Sequence, residues 1–128
     1  MPLNKKLLLS IIELGGYPDF RGLYQQHGYD VIVESSMRKA LSILKKKKVN
    51  VIVAEFNYQH TFRDRISSLE SIIAVAQRDP AINFIVLYET EYENHFEKLR
   101  EQYQFSVEIA FPVNEMKMRV ALEQIADE

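Results

Sequence analysis

The chain has 128 residues, with 16 lysines and arginines against 18 aspartates and glutamates, and no cysteine. That length fits one domain, residues 1–128, able to bury a core without a metal or disulfide staple. The missing cysteine excludes disulfides, thiolate metal sites and thiol chemistry. A net charge of −2 supplies no basic excess for nucleic acid, and no apolar run approaches the roughly 20 residues that span a bilayer. A cytoplasmic domain is therefore expected, with no membrane attachment.

The first apolar run, Leu7 to Ile12, is interrupted only by Ser10 and reads as a strand buried on both faces. Glu13 and Gly15-Gly16 follow it, and no small-residue cleavage pattern does, which argues against a signal peptide despite Lys5-Lys6. Pro18 suits the first position of a helix carrying Phe20, Leu23, Tyr24 and His27, and Gly28 suits its stop. Tyr29 to Val33 reads as a second strand. Ser35 or Ser36 then caps a helix with an apolar stripe of Met37, Ala40, Leu41 and Leu44. Lys45 to Lys48 closes that helix where its dipole is negative, a favourable and solvated arrangement.

Val49 to Ala54 reads as the third strand, with Glu55 at its carboxyl end and a polar-aromatic loop from Asn57 to Arg63. A third helix is predicted from about Asp64 to Arg78, with Ile66, Leu69, Ile73 and Ala76 inward and Ile72 and Val75 widening the face. Asp79-Pro80 ends it. Ile82 to Leu87 is the fourth strand, and about Glu91 to Tyr103 the fourth helix, carrying Tyr92, Phe96, Leu99 and Tyr103. Ser106 to Phe111 is the fifth strand. Asn114 caps a last helix through about Ala126, with Met118, Ala121, Leu122 and Ile125 inward.

Five strand–helix units with near-continuous apolar strands predict a flavodoxin-like α/β fold. Its doubly wound parallel sheet has the order 2-1-3-4-5 and right-handed crossovers. Ligand chemistry in such sheets sits at the carboxyl ends of the strands. The four glycines form no phosphate-cradling loop, and His27, His60 and His95 fall on separate elements without ligand spacing. No serine has a placed histidine and carboxylate, so an enzyme is not expected. No cofactor or metal is expected either.

Several segments together resemble the receiver (CheY-like) domain of bacterial two-component response regulators, over about Lys5 to Ala126. Lys5-Lys6 before an apolar run ending in Glu13, the turn His27-Gly28-Tyr29-Asp30-Val31, Ala40-Leu41, Val49 to Asn57, and Phe111-Pro112 carry the resemblance. It implies that Phe111-Pro112 stands where the family has Lys-Pro, usually with a cis peptide. It also implies a phosphoacceptor position at Glu55 and a metal-ligating carbonyl at Asn57. Receiver chemistry needs an acidic pair after the first strand, an acceptor aspartate, a Ser/Thr after the fourth strand and a lysine after the fifth. Those ligands hold Mg²⁺ through oxygens and neutralise the phosphoryl group. Here Ile11 and Ile12 replace the acidic pair, Glu55 the aspartate, Tyr88 the Ser/Thr and Phe111 the lysine. Glu13 stands beside the pair, Thr90 follows Tyr88 by two residues, and Glu108 takes the aromatic switch position.

The departures imply a degenerate pseudo-receiver that signals by protein–protein contact without phosphoryl transfer. Glu55 reads either as a permanent mimic of the acidic site or as an ordinary carboxylate at a strand end. Tyr58, His60 and Phe62 either form a binding hot spot or fold back over the sheet. The resemblance places partner contacts, a second copy of the chain among them, on the face of the fourth helix, fifth strand and fifth helix. That face carries Tyr92, Glu93, Glu97, Lys98, Glu101, Glu108, Lys117 and Arg119. One alternative is a small-molecule module using a crevice among Glu13, Glu55, Tyr88 and Phe111. Another is an atypical phosphoreceiver relying on Glu13 and Thr90. An output domain beyond Glu128 is left open by the resemblance.

Overall fold

The computed structural model describes residues 6–12, 18–56 and 63–126. Glu13, Asn57, Tyr58, His60 and Phe62 lie outside the described residues, as do the side chains of 63–68, Ile66 included. The strands are β1 (Lys6–Ile11), β2 (Tyr29–Glu34), β3 (Val51–Phe56), β4 (Asn83–Tyr88) and β5 (Val107–Ala110). The helices are α1 (Arg21–Gln26), α2 (Met37–Lys46), α3 (Arg63–Gln77), α4 (Glu93–Gln102) and α5 (Glu115–Ala126). All strand pairs are parallel, in the order β2-β1-β3-β4-β5. This is the predicted doubly wound, flavodoxin-like arrangement.

Alternation along each strand divides the core in two. Leu9, Ile11, Ile52, Ala54, Phe56, Phe84 and Val86 face α2, α3 and α4, where they meet Ala40, Ile72, Ile73 and Phe96. Leu8, Val51, Val53, Ile85, Leu87 and Ile109 face α1 and α5, where they meet Leu23, Tyr24, Met118 and Leu122. Every residue of β3 is buried, which explains why its sequence is apolar except for Glu55 instead of alternating. The predicted stripes hold: Leu69, Ile72, Ile73 and Ala76 are buried in α3, and Met118, Ala121, Leu122 and Ile125 in α5.

Several boundaries move, each for a local reason. β3 starts at Val51 and ends at Phe56, two residues later than predicted at both ends. Asn50 takes over the start: its side-chain oxygen accepts the Leu7 N–H at 3.0 Å, and its main-chain carbonyl accepts from Asn83 at 2.9 Å. At the other end, pairing with β4 runs on to Glu55↔Leu87 and Phe56↔Tyr88, beyond the last β1 pair, Ile11↔Ala54. Pro18 does not begin α1, which starts at Arg21. Phe20 takes the N-cap position without a side-chain cap bond, and Asp19 before it accepts the Arg21 N–H at 3.0 Å. A single 3₁₀ turn, Thr90–Tyr92, precedes α4 where one continuous helix is predicted. Ser36 caps α2 by accepting the Lys39 N–H, and Asn114 caps α5 by accepting from Lys117.

Gly28 follows α1 at φ +91°, the left-handed conformation that favours glycine. Gly22 lies inside α1 with nothing within 4 Å of where a Cβ would stand. The two glycines should therefore respond with opposite signs. Gly28→Ala is expected to destabilise the protein by about 1–2 kcal/mol and Gly22→Ala to stabilise it by about 0.5–1 kcal/mol. Urea unfolding of the two variants beside the parent checks both signs.

Candidate functional site

The carboxyl ends of β1, β3, β4 and β5 carry the positions that the sequence singles out. Glu55 is not at a solvated strand end. It lies inside β3 and is 1% exposed, because β4 pairs one residue past it. Burial of a carboxylate costs several kcal/mol unless its oxygens are engaged, and Glu55 does make an interaction. Ile11, on the neighbouring strand, is fully buried in the α2–α3–α4 core, and Ile12 packs against the α1–α5 core. A Mg²⁺ site of the receiver kind needs several oxygens in near-octahedral array. At these positions the described side chains offer one buried carboxylate and two hydrocarbons, which do not fit that ion.

The structure separates residues that the sequence reading puts together. Alternation sends Glu55 to the α1–α5 face with Val53, whereas Tyr88 packs on the α2–α3–α4 face. The Tyr88 ring stacks on Phe96, with centroids 4.6 Å apart and planes 22° from parallel. Of the crevice expected among Glu13, Glu55, Tyr88 and Phe111, the described members Glu55 and Tyr88 therefore lie on opposite faces of the sheet, and Glu13 lies outside the described residues. Phe111 sits past the end of β5, 43% exposed, held by its N–H bond to the Tyr88 carbonyl at 2.7 Å. The Phe111–Pro112 peptide is cis.

Charge around Phe111 is also wrong for an anion. Phe111 shares a small depression with Glu89, Thr90 and Glu91. Burial pushes the Glu89 carboxyl above its ordinary value, and the hydrogen bond and negative charge of Glu91 push it the same way. A phosphoryl group there would meet carboxylates where receivers present an ammonium. The nearby Lys117 Nζ donates to the carbonyls of Ala110 at 3.3 Å and Pro112 at 2.8 Å.

The sequence reading misses Arg100, the organising residue of the α4–β5 face. Its guanidinium donates to Glu108 at 3.0 Å, Glu97 at 3.0 Å and Glu93 at 3.4 Å. It also lies 4.7 Å from the Phe96 ring centroid and 5.3 Å from that of Tyr88. Desolvation lowers its pKa, but Glu108, Glu93 and Glu97 outweigh that and hold the proton more tightly than usual. Three residues expected to be free for partners are thus tied into one cluster. The available signal was helical spacing: Glu93 and Glu97 lie seven and three residues before Arg100, on one side of α4.

The remaining interface positions divide. Lys98 and Lys117 are exposed, Tyr92 is half-buried, and Arg119 pairs with Glu115 along α5. Exposed apolar side chains, which the sequence reading did not select, stand beside them: Met116 at 65% and Val120 at 52%. They border a shallow groove of about 510 Å³ that runs along β5 to Tyr88.

Solved structures share this architecture. A response regulator receiver domain from Clostridium thermocellum superposes with a TM-score of 0.72 at 14% identity, covering 95% of this chain and 94% of that one. Vibrio cholerae chemotaxis protein CheY4 gives 0.70 at 17% identity, covering 94% and 98%. A response regulator from Desulfuromonas acetoxidans gives 0.66 at 20% identity, covering 95% and 96%. At these identities the likeness is one of fold. The sequence matches no protein-family model and no curated protein. Among the described residues no helix is long and apolar enough to cross a membrane.

Arg100→Met keeps the stem on the rings and removes the charge. It should destabilise the protein by about 1–2 kcal/mol by leaving three carboxylates without their cation. A double-mutant cycle with Glu108→Gln, read by urea unfolding, should give a coupling of about 1 kcal/mol.

Proposed function

We propose that this chain is a pseudo-receiver, a receiver fold that signals through protein contacts without phosphoryl transfer and without enzymatic activity. The observation that carries the reading is the burial of Glu55 at 1% within β3. An acceptor must reach an incoming phosphoryl group in line, with metal and cation neutralising its charge. Glu55 has Ala54 and Leu87 beside it in the sheet, and isoleucine and phenylalanine hold the positions of the acidic pair and the lysine. Tyr88, at the position where receivers use a small hydroxyl, stacks on Phe96 with the Arg100 guanidinium near both rings.

The contact surface in this reading is the α4–β5–α5 face. Met116 and Val120 supply exposed apolar area there, and Lys98, Lys117 and the Arg100 cluster supply a polar rim of both signs. That mixture is typical of non-obligate interfaces. The partner is a cytoplasmic signalling protein, a second copy of this chain included.

Incubation with acetyl phosphate and Mg²⁺, followed by intact-mass measurement, should leave the mass unchanged. A stoichiometric phosphate adduct that disappears in Glu55→Gln would overturn the reading. Sedimentation across a concentration series tests the self-association arm. Any dimer using this face should dissociate at least tenfold more readily in Val120→Lys, since a charge in an apolar contact costs more than about 1.4 kcal/mol.

A further inference from the structure

A cavity of about 380 Å³ lies between α1 and the carboxyl ends of β1, β2 and β4, and shares no lining residue with the groove along β5. Its volume falls within the range of small-molecule pockets, which starts near 300 Å³. The sheet supplies a floor of branched aliphatic side chains, Ile12, Val33 and Leu87. Helix α1 supplies an aromatic wall, Phe20 and Tyr24, whose ring centroids are 6.2 Å apart at 56°. Such an apolar space between rings and methyl groups suits a flat aromatic body.

Two hydroxyls provide the polar element. Ser10 is 6% exposed and Tyr24 is 3% exposed, and both line the cavity. Desolvation pushes the Tyr24 hydroxyl well above its ordinary range, Asp19 adds to the shift, and the Ser10 hydroxyl opposes it as a hydrogen-bonding partner. Each hydroxyl has one donor and two acceptor lone pairs, so their mutual bond leaves capacity for a third group.

The charge at the mouth selects against anions. Arg21 is bound by both oxygens of Asp19, at 2.7 to 3.1 Å. That contact holds the Asp19 carboxyl near a pKa of about 2, so it is ionised at neutral pH. A bound anion would therefore meet a carboxylate and an already neutralised guanidinium. An anion would also meet hydrocarbon on the floor, Ile12, Val33 and Leu87, which offsets none of its desolvation cost.

We infer that this cavity binds a small, planar heteroaromatic compound without negative charge, seated between the α1 rings and the aliphatic floor and hydrogen-bonded to Ser10 and Tyr24. This role is independent of the protein-contact reading and uses a different surface. Indole is a suitable probe, because it is neutral, flat and carries one N–H donor. In an NMR titration of the intact chain, indole should shift the methyl signals of Ile12, Val33 and Leu87 saturably. Tyr24→Phe keeps the ring and should weaken binding about fivefold, the worth of one neutral hydrogen bond. Val33 is 52% exposed on an edge strand, so Val33→Trp is tolerable and should block the cavity, weakening binding more than about tenfold. Val33→Phe replaces it should the larger ring not fold. Indole-3-acetate, which adds a carboxylate, should bind at least tenfold more weakly than indole. Shifts that never saturate, binding unchanged in the Val33 or Tyr24 variants, or equal affinity for the anion would each overturn the inference.

Discussion

Side chains on a β-strand alternate between faces, and in a sheet covered on both sides that alternation separates neighbours more completely than distance along the chain suggests. Glu55 and Phe56 are adjacent, yet Glu55 follows Val53 toward α1 and α5 while Phe56 joins Phe96 on the opposite side. The same rule places Leu87 and Tyr88 in different cores. Much else follows from this division. Tyr88 becomes part of an aromatic stack under α4, and among the described residues Ile11, Ile12 and Glu55 put one buried carboxylate beside two hydrocarbon side chains at the ends of the central strands. The α1 side acquires the cavity over Ser10 and Ile12.

Electrostatics then decides what the two faces present. On the α4 side, Arg100 gathers Glu93, Glu97 and Glu108 and covers the Phe96 and Tyr88 rings, so one cation serves three carboxylates and an aromatic pair. Cation–π contact and charge-assisted hydrogen bonds reinforce one another here because the rings exclude water from one side of the guanidinium. The arrangement ties α4 to β5 and fixes Tyr88 beneath it. Around Phe111, by contrast, burial raises the Glu89 carboxyl, and the hydrogen bond and negative charge of Glu91 raise it further. Anion recognition at the strand ends would have to work against that local charge.

Much of the fold was legible because it rests on local pattern. The stripes of α3 and α5, the caps at Ser36 and Asn114, the stop at Gly28 and the strand order all follow from periodicity and residue chemistry. What was misread was set by cross-strand partners. The shift of β3 depends on Asn50 bonding Leu7 and Asn83, residues 43 and 33 positions away in the chain. Glu55 reads as a strand-end residue because it follows the last residue of an apolar run. Its burial comes from the register of β4, which no local signal reveals. Arg100 was missed because its value lies in Glu108, on another element, and in two rings.

By itself the sequence determined the class of the molecule. Five apolar strands alternating with amphipathic helices must bury both faces of a parallel sheet, and isoleucine and phenylalanine at the acidic and basic positions carry no charge in any fold. Tertiary structure alone decided which of those side chains share an environment. Register and face are collective properties of the paired strands, and a one-residue difference exchanges one side of the sheet for the other. The separation of Glu55 from Tyr88, the cluster at Arg100 and the cavity beneath α1 all arise at that level.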